Sequence, residues 1–239
     1  MEKISLCIPS HENRFEMFLK SSIEKYMKNP FIHEIIIMDD CSKDYKKMID
    51  YYGNNHEKIK IYQQPKHVGC FLNKVSVSLL ASCDWICLMD SDNFADLDYF
   101  EKLFDEFQKN GKNEKIIYCP ENALPKFKLR EIPNNFPSFI TKETWNEKLQ
   151  TFPNFISWWP LNCANNVFHK SYIQNVNMPE YISQKPYAVD ALYMNWVGLK
   201  NGYSIKYIEN MGYSHIVHDD CNSNQEGHDF LYNFNWYIE

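Results

Sequence analysis

Residues 83–93 read CDWICLMDSDN, a short apolar run from Trp85 to Met89 that stops in the carboxylates of Asp90 and Asp92. An apolar run of this length, bounded by turn-forming letters, marks a strand buried on both faces, as in a parallel sheet. Acids at i and i+2 of an extended segment point the same way, a few ångströms apart. Such a pair repels itself unless a cation neutralises it. Oxygen donors on a short turn suit Mg²⁺ or Mn²⁺, which keep coordination positions open for water and substrate phosphates. A helix cap or a solvated turn is compatible with the same letters. A calcium EF-hand loop is not, because Phe94 and Ala95 stand where a further oxygen ligand and a glycine are required.

Working outward, the same pattern recurs. ISLCIPS (4–10), HEIIIMDD (33–40) and IKIYQQ (59–64) read as strands, and the second again runs into acid, Asp39 and Asp40. Between them lie helical segments. Residues 12–27 space Phe15, Phe18, Leu19, Ile23 and Tyr26 at helical intervals, residues 41–53 carry Tyr45, Met48 and Tyr52 on one side with Gly53 as a stop, and helices are expected over 69–82 and 96–110. This alternation predicts an α/β fold with a layered parallel sheet. Ligands of open α/β sheets collect beyond the carboxyl ends of the strands, so Pro9, Asp40 and Asp90 are expected on one rim.

From 119 to 165 repeated prolines predict a long loop. Regularity returns with a helix over 188–200, closed by Asn201 and Gly202, a strand at YSIKYIE, and an acidic, His-bearing segment, SHIVHDDC. The expected organisation is one domain of two working halves, 1–93 and 94–239, which the resemblance described below makes a nucleotide-binding half and an acceptor half.

The 239 residues, 44% of them hydrophobic, suffice for one large core, and a formal charge of −6 argues against nucleic acid as a partner. No run approaches the roughly 20 apolar residues of a membrane span. The opening MEKISLCIPS reads as a strand rather than a secretory leader. Eight scattered cysteines, without paired zinc spacing, are expected to be reduced thiols of a cytoplasmic protein.

The order of segments resembles the GT-A-fold glycosyltransferases of the family 2 type. ISLCIPSHEN resembles that family's opening strand and turn, and EIIIMDDCSKD its V-D-D-G-S-x-D segment, with Cys41 in place of Gly. QPKHVGCFLNKVSVSLLASCDWICLMDSDN resembles its N-x-G, helix and D-x-D series, with His67 in place of Asn. The resemblance implies a Rossmann-like, mixed sheet flanked by helices. It places Pro9, Ser10 and Glu12 beside the nucleoside, Asp40 on the uracil ring with Asp39 near it, and Lys74 facing the diphosphate, although a Lys on a helix surface would look the same. It puts Asp90 near ribose or metal-bound water and gives Asp92 the cation.

In the second half, KPYAVDALYMNWVGLKNGYSIKYIE resembles the family's E-D segment and following strand. Asp190 then takes the place of the catalytic base, with Val189 where the family has Glu; a helix N-cap is the alternative. A histidine after the last strand ligates the metal in many members, and His218 is preferred here over His215. Trp158 and Trp159, with Trp145, suit an acceptor-sugar floor or plain core.

The implied activity is sugar transfer from a nucleotide diphosphate donor, a UDP-sugar by the resemblance, to a hydroxyl of a glycan acceptor, with inversion and with Mn²⁺ or Mg²⁺. Three rivals use similar letters. A haloacid-dehalogenase-like phosphatase shares D-x-D but wants Thr or Val where Phe94 stands. A nucleotidyltransferase wants a Gly-rich loop that PSHENRFEMF lacks. A catalytically inactive glycan- or nucleotide-binding domain would have little reason to keep Asp90, Asp92 and Asp190 together.

Overall fold

The computed structural model describes residues 3–53, 56–132, 136–151, 160–161, 163–176 and 190–216. Strand β1 (Ile4–Ser10) is followed by a short π-helical turn (Phe15–Leu19) that continues into α1 (Lys20–Met27). Then come β2 (Ile32–Asp39), α2 (Asp44–Tyr52), β3 (Ile59–Gln63), α3 (Cys70–Leu79) and β4 (Trp85–Leu88). The remainder comprises β5 (Asn93–Ala95), α4 (Tyr99–Asn110), β6 (Ile116–Leu124), β7 (Phe127–Lys128), β8 (Phe139–Ile140), α5 (Lys142–Thr151), β9 (Val167–His169), α6 (Lys170–Ile173), α7 (Asp190–Lys200) and β10 (Ser204–His215).

Among the described residues these strands form one ten-stranded sheet whose main path runs β3-β2-β1-β4-β9-β6-β10-β5. The first four are mutually parallel, whereas β9 runs antiparallel to β4 and β6, and β5 antiparallel to β10. The sheet is therefore mixed. The chain moves from β1 outward through β2 and β3, then returns to place β4 on the other side of β1, which makes the β1/β4 edge a topological switch point.

Period-2 alternation divides the core between the two faces. Ile36 and Met38 of β2 join the layer of Phe71 and Val77 from α3 and Leu192 and Val197 from α7. Ile35 and Ile37 join Phe15, Leu19 and Ile23 on the opposite face, with Leu103 and Phe107 of α4. Each such side chain contributes roughly 1.5–3 kcal/mol on full burial, so both layers hold the sheet edge rigid beneath the cleft.

The region 119–165 departs from expectation. It contains most of β6, then β7, β8 and α5, so it is not one long loop. Pro120 lies inside β6, opposite Ile208, where the ladder to β10 shifts register before Gly212. An irregular ladder tolerates a residue without an N–H. Trp145 is 2% exposed and packs in the core, not in an acceptor floor. None of the described helices is long and apolar enough to cross a membrane.

Candidate active site

Rim residues arrive from the carboxyl ends of neighbouring strands. At the end of β2, Asp39 is fully buried and its oxygens accept hydrogen bonds from the Ser42 amide at 2.6 Å, the Ser42 hydroxyl at 2.6 Å and the Gln63 side-chain amide at 3.1 Å. These bonds make it an anchor of the turn. Asp40 accepts from the Val68 and Gly69 amides at 2.8 and 2.9 Å and lies 2.9 Å from His67 Nδ1. Gly69 holds φ at +84°, a conformation that a residue with Cβ rarely adopts, and this lets two successive amides converge on one carboxylate. Asn73 bonds the Ser10 and Met38 carbonyls and so clamps β1 to β2 at the rim.

Pro9 and Ser10 are buried within β1, so their side chains back the rim, while Glu12 is exposed. The Ser10 carbonyl accepts from the Asp40 amide at 2.9 Å.

Beyond β4, the Asp90 amide is fixed at 2.7 Å from Asn165 Oδ1, which aims the acidic turn. Lys74, 3% exposed on α3, places its ammonium 2.8 Å from Asp90 and within hydrogen-bond reach of Asp190, the first residue of α7. Cys70, one turn earlier on α3, donates its thiol to the same Asp190 oxygen at 3.2 Å. Asp92 pairs with Arg14 at 3.3 Å. Lys74 is thus neither on an outer helix surface nor facing open solvent. It joins the end of β4 to the start of α7.

Charge in this cluster is unbalanced, with three carboxylates against the two cations Lys74 and Arg14. Burial pushes the Asp90 carboxyl up and Lys74 draws it down, but Asp92 and Asp190 push it up again, and the net direction is upward. For Asp190 burial also raises the carboxyl, yet Lys74, the Cys70 thiol and the Ala191 amide outweigh it and hold the group below its ordinary value. Burial would lower Lys74, and the two carboxylates instead keep it well above the usual ammonium range. Asp190 therefore stays ionised at neutral pH.

Strand pairing sets His215 opposite Asn93, beside the acidic turn. His218, Trp158 and Trp159 lie outside the described residues. The excess negative charge and hard oxygen donors of Asp90 and Asp92 fit a divalent cation of the Mg²⁺ or Mn²⁺ kind.

Sequence reading missed Arg14, Asn165, Cys70 and Asn73. Arg14 offered a signal, being one of only two arginines in the chain and five residues after Pro9. The others are recognisable only from their contacts.

A mixed sheet with a switch-point cleft, an acidic turn after β4 and a buried carboxylate facing it define an α/β fold with a charged cleft at its strand ends. The model of glycosyl transferase family 2 matches residues 5–164, and the chain belongs to that family. That membership weighs against the phosphatase and nucleotidyltransferase alternatives. Among solved structures it is similar to S. aureus TarS 1-349 in complex with UDP, with TM-score 0.63 and 15% identity over 90% of this chain and 60% of that one. TarS 1-349 in complex with UDP-GlcNAc gives TM-score 0.65 and 13% identity over 93% and 61%. GalNAc-T7 with UDP, GalNAc and Mn²⁺ gives 0.65 and 12% over 91% and 44%. At these identities the likeness is one of fold, the GT-A fold, and the chain spans less than two thirds of each of these structures. No curated protein matches the chain.

Proposed function

We propose that the chain transfers one sugar from a UDP-sugar to a hydroxyl of a glycan acceptor, with inversion at the anomeric carbon and with a divalent cation at the acidic turn. The observation that carries this reading is the Lys74 bridge, which holds Asp190 beside the turn of Asp90 and Asp92. Family membership supports the reaction class. The UDP and UDP-GlcNAc complexes of TarS support the donor class.

In the proposed reaction Asp190 takes the proton of the acceptor hydroxyl. The acceptor oxygen bonds to C1 as the C1–O bond to the diphosphate breaks, and UDP leaves with that electron pair. Lys74 limits the basicity of Asp190 while paired with it. An incoming diphosphate offers Lys74 another anion, and the shift of that pairing releases an Asp190 oxygen for the acceptor. Asp90 and Asp92, with a histidine from the β10 end, would hold the cation. When bound it would supply charge stabilisation at the leaving diphosphate. Asp40 receives the nucleobase, since its carboxylate is fixed in place by two amides and still borders the rim.

The test is thermal stabilisation by UDP with and without Mn²⁺, followed by donor turnover. Metal-dependent stabilisation by UDP together with an inverted product is expected. A product retaining the donor's anomeric configuration would remove the role given to Asp190.

A further inference from the structure

Three loops from adjacent strands meet over Asp40. His11 follows β1, Asp40 follows β2, and His67 lies in the connection from β3 to α3, so the order β3-β2-β1 seats the carboxylate between two imidazoles. One ligand atom from each of the three side chains lies within 4.8 Å of the other two. The two rings stand 5.1 Å apart between centroids, and His67 Nδ1 is already 2.9 Å from Asp40 Oδ2.

We propose that His11, Asp40 and His67 form a second cation site, distinct from the acidic turn, that takes a borderline divalent ion of the Zn²⁺ type. Ligand atoms around a tetrahedral zinc stand roughly 3.3 Å apart, given metal–ligand bonds of about 2.0–2.2 Å. Both histidines are exposed, so their rings are free of the packing that would hold them at the wider separation. The carboxylate needs no movement. The Val68 and Gly69 amides donate to its two oxygens and fix its plane, as hydrogen bonds to ligating carboxylates do in protein metal centres. The His67 side chain is 63% exposed, so the site opens to solvent and leaves a position for water.

Donor chemistry separates the two sites. Two imidazoles and one carboxylate favour Zn²⁺, Co²⁺ or Ni²⁺, whereas the acidic turn, with two carboxylates to one histidine, leans toward Mn²⁺. If Asp40 receives the nucleobase, as proposed above, an ion here excludes the donor and zinc inhibits by competition; this consequence rests on that reading, and the cation site does not.

The experiment titrates the full chain with Co²⁺ alone and follows the visible absorption of the bound ion, with Zn²⁺ added to displace it. One ion per chain is expected to give the intense visible absorption of four-coordinate Co²⁺, with His11→Gln and His67→Gln each weakening that signal's binding at least about tenfold and Asp92→Asn leaving it unchanged. Both histidines are exposed, and circular dichroism checks that the variants fold. Equal Co²⁺ binding in wild type and both histidine variants, no binding at all, or loss of binding on Asp92→Asn overturns the site. Uridine, which carries no phosphate to chelate the metal, should compete with Co²⁺. Unimpeded Co²⁺ binding in saturating uridine would overturn the base placement over Asp40 and leave the metal site standing.

Discussion

The turns after β2 and β4 carry the same letters, an apolar strand emptying into acids, yet the protein neutralises them by different means. Asp39 and Asp40 are satisfied largely by neutral donors, namely main-chain amides, a hydroxyl and a side-chain amide close to the turn. Asp90 and Asp92 are met by the cations Lys74 and Arg14, and Asp190 joins them from a distant helix. Amides built into a turn cannot leave, so they make a permanent scaffold. Long cationic side chains can exchange one anion for another, which is what a site receiving a charged donor requires. The first turn thus holds shape and the second holds charge in reserve.

Asp190→Asn puts the greatest strain on this contrast. Turnover should fall by about 10²–10⁴ while UDP affinity stays within a few-fold, as judged by single-turnover kinetics and calorimetry. Equal losses in both would place Asp190 in donor binding. Asp39→Ala should cost about 2 kcal/mol of stability, because a fully buried carboxylate is lost and three part-buried donors lose their acceptor. Asp92→Asn, which keeps the side chain's shape and weakens its pairing with Arg14, should cost about 1 kcal/mol of denaturant stability and abolish Mn²⁺-dependent UDP binding. Similar stability losses in these two variants would erase the distinction.

A third buried carboxylate extends the comparison to the opposite end of the sheet. Burial pushes Glu34 up, but hydrogen bonds from Lys60, Ser5 and Ser82 outweigh it and hold the group at about 2, against an ordinary 4.5. A depressed carboxyl stabilises the fold above its unfolded value and loses that contribution as pH falls through its folded one. Stability should drop by about 2 kcal/mol between pH 4.5 and 2, allowing for screening of the half-exposed Lys60. In Glu34→Gln that portion of the acid transition should vanish from denaturation curves. The smallest effect belongs to Cys41, which sits at φ +60° in the first turn and is exposed. Cys41→Gly should raise stability by about 0.5–1 kcal/mol, measurable as a shift in urea midpoint.

The fold was most legible where local signals agreed. β1 to β4 and their crossover helices follow from apolar runs, helical spacing and stop residues, and the family resemblance even marks position 41 as one that favours glycine. Legibility failed at β6. Pro120 signalled a loop, and only the irregular register with β10 accommodates it in a strand. Boundaries also moved, since Asn93–Ala95 forms β5 and α4 begins at Tyr99. Of the candidate site, Asp40, Asp90, Asp92 and Asp190 were found from the sequence. Lys74 was named too, as a residue facing the diphosphate, but its pairing with Asp190 was not legible, because the two are 116 residues apart.

The sequence by itself determined the succession of strands and helices in the first half and the acids at its strand ends, since these depend on periodicity and turn chemistry within a dozen residues. Only the tertiary structure decided which acids are buried as anchors and which confront a cation. Asp39 and its neighbour Ser42 differ by three positions and find each other within one turn. The meeting of Asp90, Lys74 and Asp190 requires β4, α3 and α7 to pack at one edge, and the energy that brings them there is the burial of apolar side chains elsewhere in the sheet.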